Sequence, residues 1–190
     1  PLNGINMSNV LFENVSAGSY GGVIYFNCNG HNYDMNINNL VLTNVTVRNV
    51  SSGESGGFIF VNGHLINPVF DNVTVINSST KADGGALYIV NNCMNPVFNN
   101  ASFINTSATK GAGAIYFGGT LTNFTYDNLS FINTSAKGGN GGGAIYFASA
   151  INNLTFDGKA TFINTSATGS GGALYFGSNV ADFNVNNINL

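Results

Sequence analysis

A six-residue string, Gly-Gly-Ala-Ile-Tyr-Phe in its most regular form, occurs six times along the chain. The second position of the string is Gly22, Gly57, Gly85, Gly113, Gly143 and Gly172, so successive copies are 35, 28, 28, 30 and 29 residues apart. A repeat of about this length indicates a solenoid, in which each copy forms one winding and packs mainly against the copies before and after it.

Each repeat contains three short stretches in which apolar and polar residues alternate, and Gly, Asn and Ser separate them. Alternation with a period of two is typical of β-strands. A propeller blade or a leucine-rich repeat fits three strands in one such unit less well. We therefore predict an all-β fold, a parallel β-helix of about six rungs with three strands per rung. Because parallel crossovers are almost always right-handed, we expect a right-handed coil.

The repeat extends over residues 1–190, which we interpret as a single β-helix segment. The chain begins at Pro1 rather than at Met, and we expect it to be a fragment of a longer surface protein.

Equivalent residues of successive windings should stack about 4.8 Å apart along the solenoid axis. The most apolar columns belong to the Gly-Gly strand, and we predict that both face the core. They contain Ile24, Ile59, Leu87, Ile115, Ile145 and Leu174, and Phe26, Val61, Ile89, Phe117, Phe147 and Phe176.

Two further columns consist of asparagine. The first contains Asn14, Asn49, Asn77, Asn105, Asn133 and Asn164, and strict alternation predicts that these side chains face inward at a corner and form a ladder of stacked amides. The second contains Asn44, Asn72, Asn100 and Asn128. Both columns match the Asn-x-Ser/Thr glycan acceptor pattern. Glycans on every rung of the first column would collide, so only the second column is a candidate for glycosylation.

An aromatic residue follows the inward Ile or Leu of each Gly-Gly strand, so alternation predicts that it faces outward. We name this column the aromatic stripe; it contains Tyr25, Phe60, Tyr88, Tyr116, Tyr146 and Tyr175. An exposed row of aromatic rings often marks an interaction site, and the stripe is the candidate ligand-binding face. The alternative is that neighbouring rings cover each other and strengthen the sheet.

The composition excludes several classes of function. Only 8 acidic and 5 basic residues are present, with a net charge of −3, so clustered cations for a phosphate backbone are lacking and we expect no nucleic-acid partner. No apolar run is long enough to predict a membrane span. We predict neither a metal site nor a cofactor.

A column of acidic and amide residues is the one candidate for catalysis, and it contains Asp71, Asn99, Asp127 and Asp157. Paired carboxylates can perform acid–base chemistry. However, the column accepts Asn, and the single arginine, Arg48, lies several windings away from Asp127 and Asp157. We therefore predict that the protein is not an enzyme and keep a polysaccharide lyase or hydrolase as an alternative.

The last repeats resemble a known family. Phe162-Ile163-Asn164-Thr165-Ser166-Ala167 followed by Gly171-Gly172-Ala173-Leu174 is similar to the polymorphic outer-membrane-protein repeat, which occurs in chlamydial autotransporter adhesins and in adhesin-like surface proteins of methanogenic archaea. The chlamydial pattern has Asn three residues after Phe, whereas this chain has Asn one place earlier. The resemblance implies an extracellular, right-handed β-helix that serves in adhesion.

These observations together predict a non-enzymatic, adhesin-like protein at the cell surface. We expect its partners to be glycans or proteins on host or neighbouring cells. The alternative is a structural stalk or filament subunit that self-associates by stacking uncapped helix ends.

Overall fold

The computed structural model describes residues 1–27, 36–139, 141–156, 158–185 and 188–189. These residues form 23 β-strands and no helix, and every pairing between the described strands is parallel. The predicted all-β parallel β-helix is therefore confirmed. Within the same ranges, no helix has the length and apolar character to cross a membrane.

Six strands, one from each copy of the Gly-Gly string, form one side of the solenoid, the Gly-Gly sheet. They are Ile24–Asn27, Ile59–Asn62, Leu87–Ile89, Ile115–Phe117, Ile145–Phe147 and Leu174–Phe176. The register is that of the repeat: Tyr88 pairs with Phe60 on one side and with Tyr116 on the other. Six stacked strands correspond to about five complete windings.

The other 17 strands of the described residues join into one sheet that forms the remaining sides. They are Leu2–Asn3, Asn6–Glu13, Ser16–Ala17, Asn36–Asn38, Val41–Ser52, His64–Ile66, Val69–Thr80, Cys93–Met94, Val97–Ile104, Ser107–Ala108, Leu121–Ile132, Ser135–Ala136, Ile151–Phe156, Ala160–Ile163, Ser166–Ala167, Val180–Val185 and Ile188–Asn189. In some windings, two stretches that the sequence predicts as separate strands form one continuous strand, as in Leu121–Ile132.

Left-handed backbone conformations turn the chain at four points of a regular winding. In one winding they occur at Asn67, Asn72, Asn77 and Gly84, with φ of 51°, 53°, 55° and 66°. Asparagine and glycine are the residues that adopt positive φ most readily. The composition of the repeat therefore follows from its corners.

The core consists of the predicted apolar columns. Leu87 and Ile89 are 1% and 3% exposed, and the residues stacked on them in the next winding, Ile115 and Phe117, are 0% and 1% exposed. Burial of each such side chain contributes roughly 1.5–3 kcal/mol. Phenylalanines continue the stacking at ring level: the rings of Phe117 and Phe147 lie 5.6 Å apart and nearly parallel.

The two glycines of the string have different functions. The first has positive φ, and a Cβ atom there would meet the carbonyl oxygen three residues later, for example Leu87 O at 2.4 Å from a Cβ on Gly84. The second lies under the next winding, and a Cβ on Gly85 would be 2.0 Å from the Gly113 carbonyl oxygen. Ala112, with φ of 57°, occupies the first position in one repeat, whereas the second position is glycine in all six.

This difference predicts that the second glycine is the more sensitive one. Gly84→Ala should lower the free energy of unfolding by about 1–2 kcal/mol, the cost of a left-handed alanine. Gly85→Ala should cost about 3 kcal/mol, because its methyl group must push two windings apart. Denaturant unfolding of the two variants measures the difference, and a larger loss for Gly84→Ala would contradict the assignment.

Candidate binding face and adjoining groove

The aromatic stripe is a continuous stack of rings on the outer face of the Gly-Gly sheet. Successive ring centres from Phe60 through Tyr88, Tyr116 and Tyr146 to Tyr175 are 5.1, 4.6, 4.8 and 4.6 Å apart, with interplanar angles of 5°, 12°, 11° and 23°. The strand spacing of a parallel sheet imposes this distance. Phe60 and Tyr146 are more exposed than both of their neighbours along the strand, as alternation predicts, but both are buried, so the predicted exposed row of rings is present only in part.

At one end of the stripe the stacking changes. The ring of Tyr25 meets Phe60 nearly edge-on, at 5.4 Å and 76°. Tyr20 packs against both, with ring centres 4.4 Å from Phe60 and 5.7 Å from Tyr25. Sequence reasoning missed Tyr20, because it precedes the Gly-Gly pair at a position that is Ser55 and Asp83 in the next two repeats.

The stacking decides which atoms of the stripe can meet a ligand. Phe60 and Tyr146 are only 6% and 9% exposed, whereas Tyr25 at the end is 42% exposed. In the central part each ring face is covered by the ring of the next winding, so a sugar cannot stack on it. Only the parts of these side chains that neighbouring rings leave uncovered remain for recognition, and they are largest at Tyr25.

The central phenols are held in their neutral form. Burial, followed by the charge of Asp83, raises the pKa of Tyr88 from its usual 10.0 to about 12. Burial is also the first cause that raises the pKa values of Tyr116 and Tyr146, with contributions from neighbouring phenols and from Asp83. A neutral phenol can both donate and accept a hydrogen bond.

A groove of about 280 Å³ adjoins the stripe. We name it the stripe groove; it is lined by Asp83, Lys110, Tyr116, Gly138, Gly139 and Tyr146. Asp83 is half-buried, and its Oδ1 accepts a 2.7 Å hydrogen bond from the backbone N–H of Gly111 in the next winding. This bond fixes the carboxylate at the groove.

A second, larger groove of about 580 Å³ crosses the short Ser-Ala strands at another corner. Small residues of four windings line it, among them Ser51, Ser79 and Ser107, and Lys81 is its charged member. It presents hydroxyl groups without aromatic rings.

The first asparagine column forms the predicted amide ladder. Each Nδ2 donates to the Oδ1 of the preceding winding, at 3.2, 3.0, 3.0, 2.9 and 3.1 Å along Asn14, Asn49, Asn77, Asn105, Asn133 and Asn164. The predicted inward orientation is wrong, because these side chains are exposed. Positive φ at each Asn interrupts the alternation: Phe131 is buried, Asn133 is exposed, and Thr134 is buried again.

Sequence analysis missed a third column of the same kind. In this column Asn67 donates to Asn39, Asn95 to Asn67, Asn123 to Asn95 and Asn153 to Asn123, at 3.3, 2.8, 2.8 and 3.0 Å. Its signal in the sequence was an Asn five residues before each member of the second column, as in Asn67 and Asn72.

The four candidate glycan acceptors, Asn44, Asn72, Asn100 and Asn128, are exposed and also have positive φ. Nδ2 of Asn44, Asn72 and Asn128 donates to the amide of the preceding winding, at 3.0, 2.8 and 3.1 Å. Their acceptor pattern therefore has a structural origin, an Asn at the corner and an outward Ser or Thr two residues later. Their glycosylation stays a prediction.

The acidic column is also in register: Asn99 lies between Asp71 and Asp127, which places the two carboxylates two windings apart. Asp157 lies outside the described residues. Within the described ranges no three His, Cys, Asp or Glu side chains converge where they could hold a metal ion.

The ladder geometry predicts an order of stability for variants of Asn77. Asn77→Gly should cost about 1 kcal/mol, because it removes two exposed amide hydrogen bonds but tolerates positive φ. Asn77→Ala should cost about 2–3 kcal/mol, since it adds the strain of a left-handed alanine. Equal losses in thermal or denaturant unfolding would show that the backbone conformation contributes nothing.

The phenol pKa values predict a loss of stability in alkaline solution. Because the pKa of Tyr88 is about 12 in the folded chain and 10.0 when unshifted, its contribution is complete below pH 10 and is lost as the pH rises towards 12. Unfolding at several pH values should show this decline, and it should be smaller in Tyr88→Phe, which keeps the ring. An identical decline in both proteins would refute the contribution of Tyr88.

No protein-family model, no curated protein and no solved structure matches the chain. The resemblance to the polymorphic outer-membrane-protein repeat therefore stays a prediction.

Proposed function

We propose that the chain is a non-enzymatic, extracellular, adhesin-like protein that attaches to glycans or proteins of host or neighbouring cell surfaces. The observation that supports this proposal is the continuous stack of aromatic rings along the Gly-Gly sheet. Tyrosine combines an apolar ring with a polar tip, which is why it is enriched at interfaces.

The stripe is also rigid. Each central ring packs between two others at 4.6–5.1 Å, so it has little conformational freedom to lose when a partner binds. Its hydroxyls are protonated at physiological pH, as a phenol with the usual pKa of about 10 already is, and burial raises the pKa of Tyr88, Tyr116 and Tyr146 further. A repeated row of such groups suits an extended or multivalent partner.

The position of the carboxylates favours a binding role over catalysis. Asp71 and Asp127 are separated by Asn99, and one oxygen of Asp83 accepts a hydrogen bond from the Gly111 N–H. A polysaccharide lyase or hydrolase needs acid and base groups that converge on one bond. The stalk or filament alternative stays a prediction from the sequence.

Attachment of the 190-residue chain to immobilised cell-surface glycans and to whole cells tests the proposal. The double variant Tyr116→Phe/Tyr146→Phe keeps the ring stack and removes two hydroxyls, so it should weaken attachment roughly tenfold. Because the Tyr146 hydroxyl also hydrogen-bonds Tyr175, thermal unfolding is measured alongside to confirm that the variant is folded.

The matched control is Ser102→Ala/Ser130→Ala, which removes two hydroxyls that are hydrogen-bonded to each other at 2.9 Å on another sheet. This variant should attach like the wild type. If the wild type attaches to no surface, or if the tyrosine variant attaches as strongly, the proposed function is wrong.

A further inference from the structure

The repeat is interrupted beside the aromatic stripe. From the ladder asparagine to the second glycine of the string, the chain takes eight residues in five repeats but ten between Asn133 and Gly143. Gly138 and Gly139 belong to this longer segment, and both line the stripe groove.

Lys137 and Gly138 are held by the windings on both sides. The Gly138 N–H donates to the Lys110 carbonyl oxygen at 3.0 Å, and the Thr168 hydroxyl shares its one hydrogen between the carbonyl oxygens of Lys137 and Gly138, at 2.7 and 3.1 Å. A wall that hydrogen-bonds to the windings before and after it keeps the groove in shape without a ligand.

The groove is lined by an acidic and a basic side chain that are not paired with each other. The Asp83 carboxylate and the Lys110 ammonium both line it, but within the described residues they form no ion pair with one another. Tyr116 and Tyr146 complete the lining, and the Tyr146 hydroxyl is also hydrogen-bonded to Tyr175. A carboxylate accepts hydrogen bonds, an ammonium donates them, and a phenol does both.

We propose that the stripe groove binds one pyranose unit of a glycan, which enters with its hydroxyl edge towards Asp83 and Lys110. This inference rests on the proposed function and specifies the ligand class for the same face. Vicinal hydroxyls of a sugar can donate to Asp83 and accept from Lys110 at the same time. A volume of about 280 Å³ suits a single small unit.

The same geometry disfavours a peptide. Peptides bind by pairing with a free strand edge or by placing apolar side chains in pockets. The groove lies where the Gly-Gly strands are paired on both sides, Ile115–Phe117 with Leu87–Ile89 and with Ile145–Phe147. The faces of Tyr116 and Tyr146 are covered by neighbouring rings.

The test uses NMR titration of the 190-residue chain with methyl pyranosides of glucose, galactose, mannose and N-acetylglucosamine. At least one should shift the resonances of Tyr116, Tyr146 and Gly139. Asp83→Asn keeps the acceptor for the Gly111 N–H and removes the charge, and Lys110→Ala removes the ammonium. Each of these two substitutions should weaken the binding of that sugar roughly tenfold.

Two variants control for position and bulk. Lys137→Ala removes an exposed cation outside both grooves and should bind like the wild type. Gly139→Trp should block the groove, because its side chain is as large as the sugar. The fold can accept this substitution, since a Cβ on Gly139 meets no atom within 4 Å. Gly139→Ala should bind the sugar like the wild type. Thermal unfolding confirms that each variant is folded.

Four outcomes would overturn the groove assignment. The first is that no pyranoside shifts the resonances, and the second is that Asp83→Asn and Lys110→Ala bind the sugar with wild-type affinity. The third is a loss of affinity in Lys81→Ala, which would place the sugar in the hydroxyl-lined groove. The fourth is that unstructured peptides shift the resonances and sugars do not. If surface attachment still depends on Tyr116 and Tyr146 in any of these cases, the proposed function stands and only the groove is wrong.

Discussion

Parallel pairing of every winding with an equivalent winding is the constraint on which this structure depends. Because residue 88 pairs with residues 60 and 116, each column repeats one chemical environment along the axis. Residues of one column can then interact with each other: phenylalanines stack on phenylalanines, and each asparagine amide donates a hydrogen bond to the asparagine of the preceding winding. The same constraint leaves no room for a side chain where two windings touch, which explains the second glycine of the string.

The corners make this pairing possible. Each winding has to return to its starting point within about 28 residues, and four left-handed residues supply the necessary turns. Asparagine serves at three of these corners because it adopts positive φ and its amide can both donate and accept. The amide ladders therefore stabilise the residues whose backbone conformation is least favourable. Glycine serves at the fourth corner, where a Cβ atom would meet a carbonyl oxygen of the same turn.

The repeat period predicted the fold class, the register and the inner columns, because these depend only on which residues are equivalent. It could not predict the direction of the asparagines, since one residue with positive φ shifts the phase of alternation, as Phe131, Asn133 and Thr134 show. The third asparagine ladder was overlooked for lack of a conspicuous neighbouring motif. For the aromatic stripe the columns left two alternatives, exposed rings or rings that cover each other, and the ring tilt that decides for the second is not specified by column assignment.

The groove shows why recognition is to be sought where the repeat is broken. A perfectly regular column offers the same groups on each winding, and most of them are occupied by their neighbours, as the central tyrosine faces are. Two additional residues lie between Asn133 and Gly143, and the windings on either side hydrogen-bond to Lys137 and Gly138. Asp83 and Lys110 then face a space that the chain itself does not fill. In a solenoid, regularity supplies stability, and a small local departure from it creates the polar cavity that a ligand can occupy.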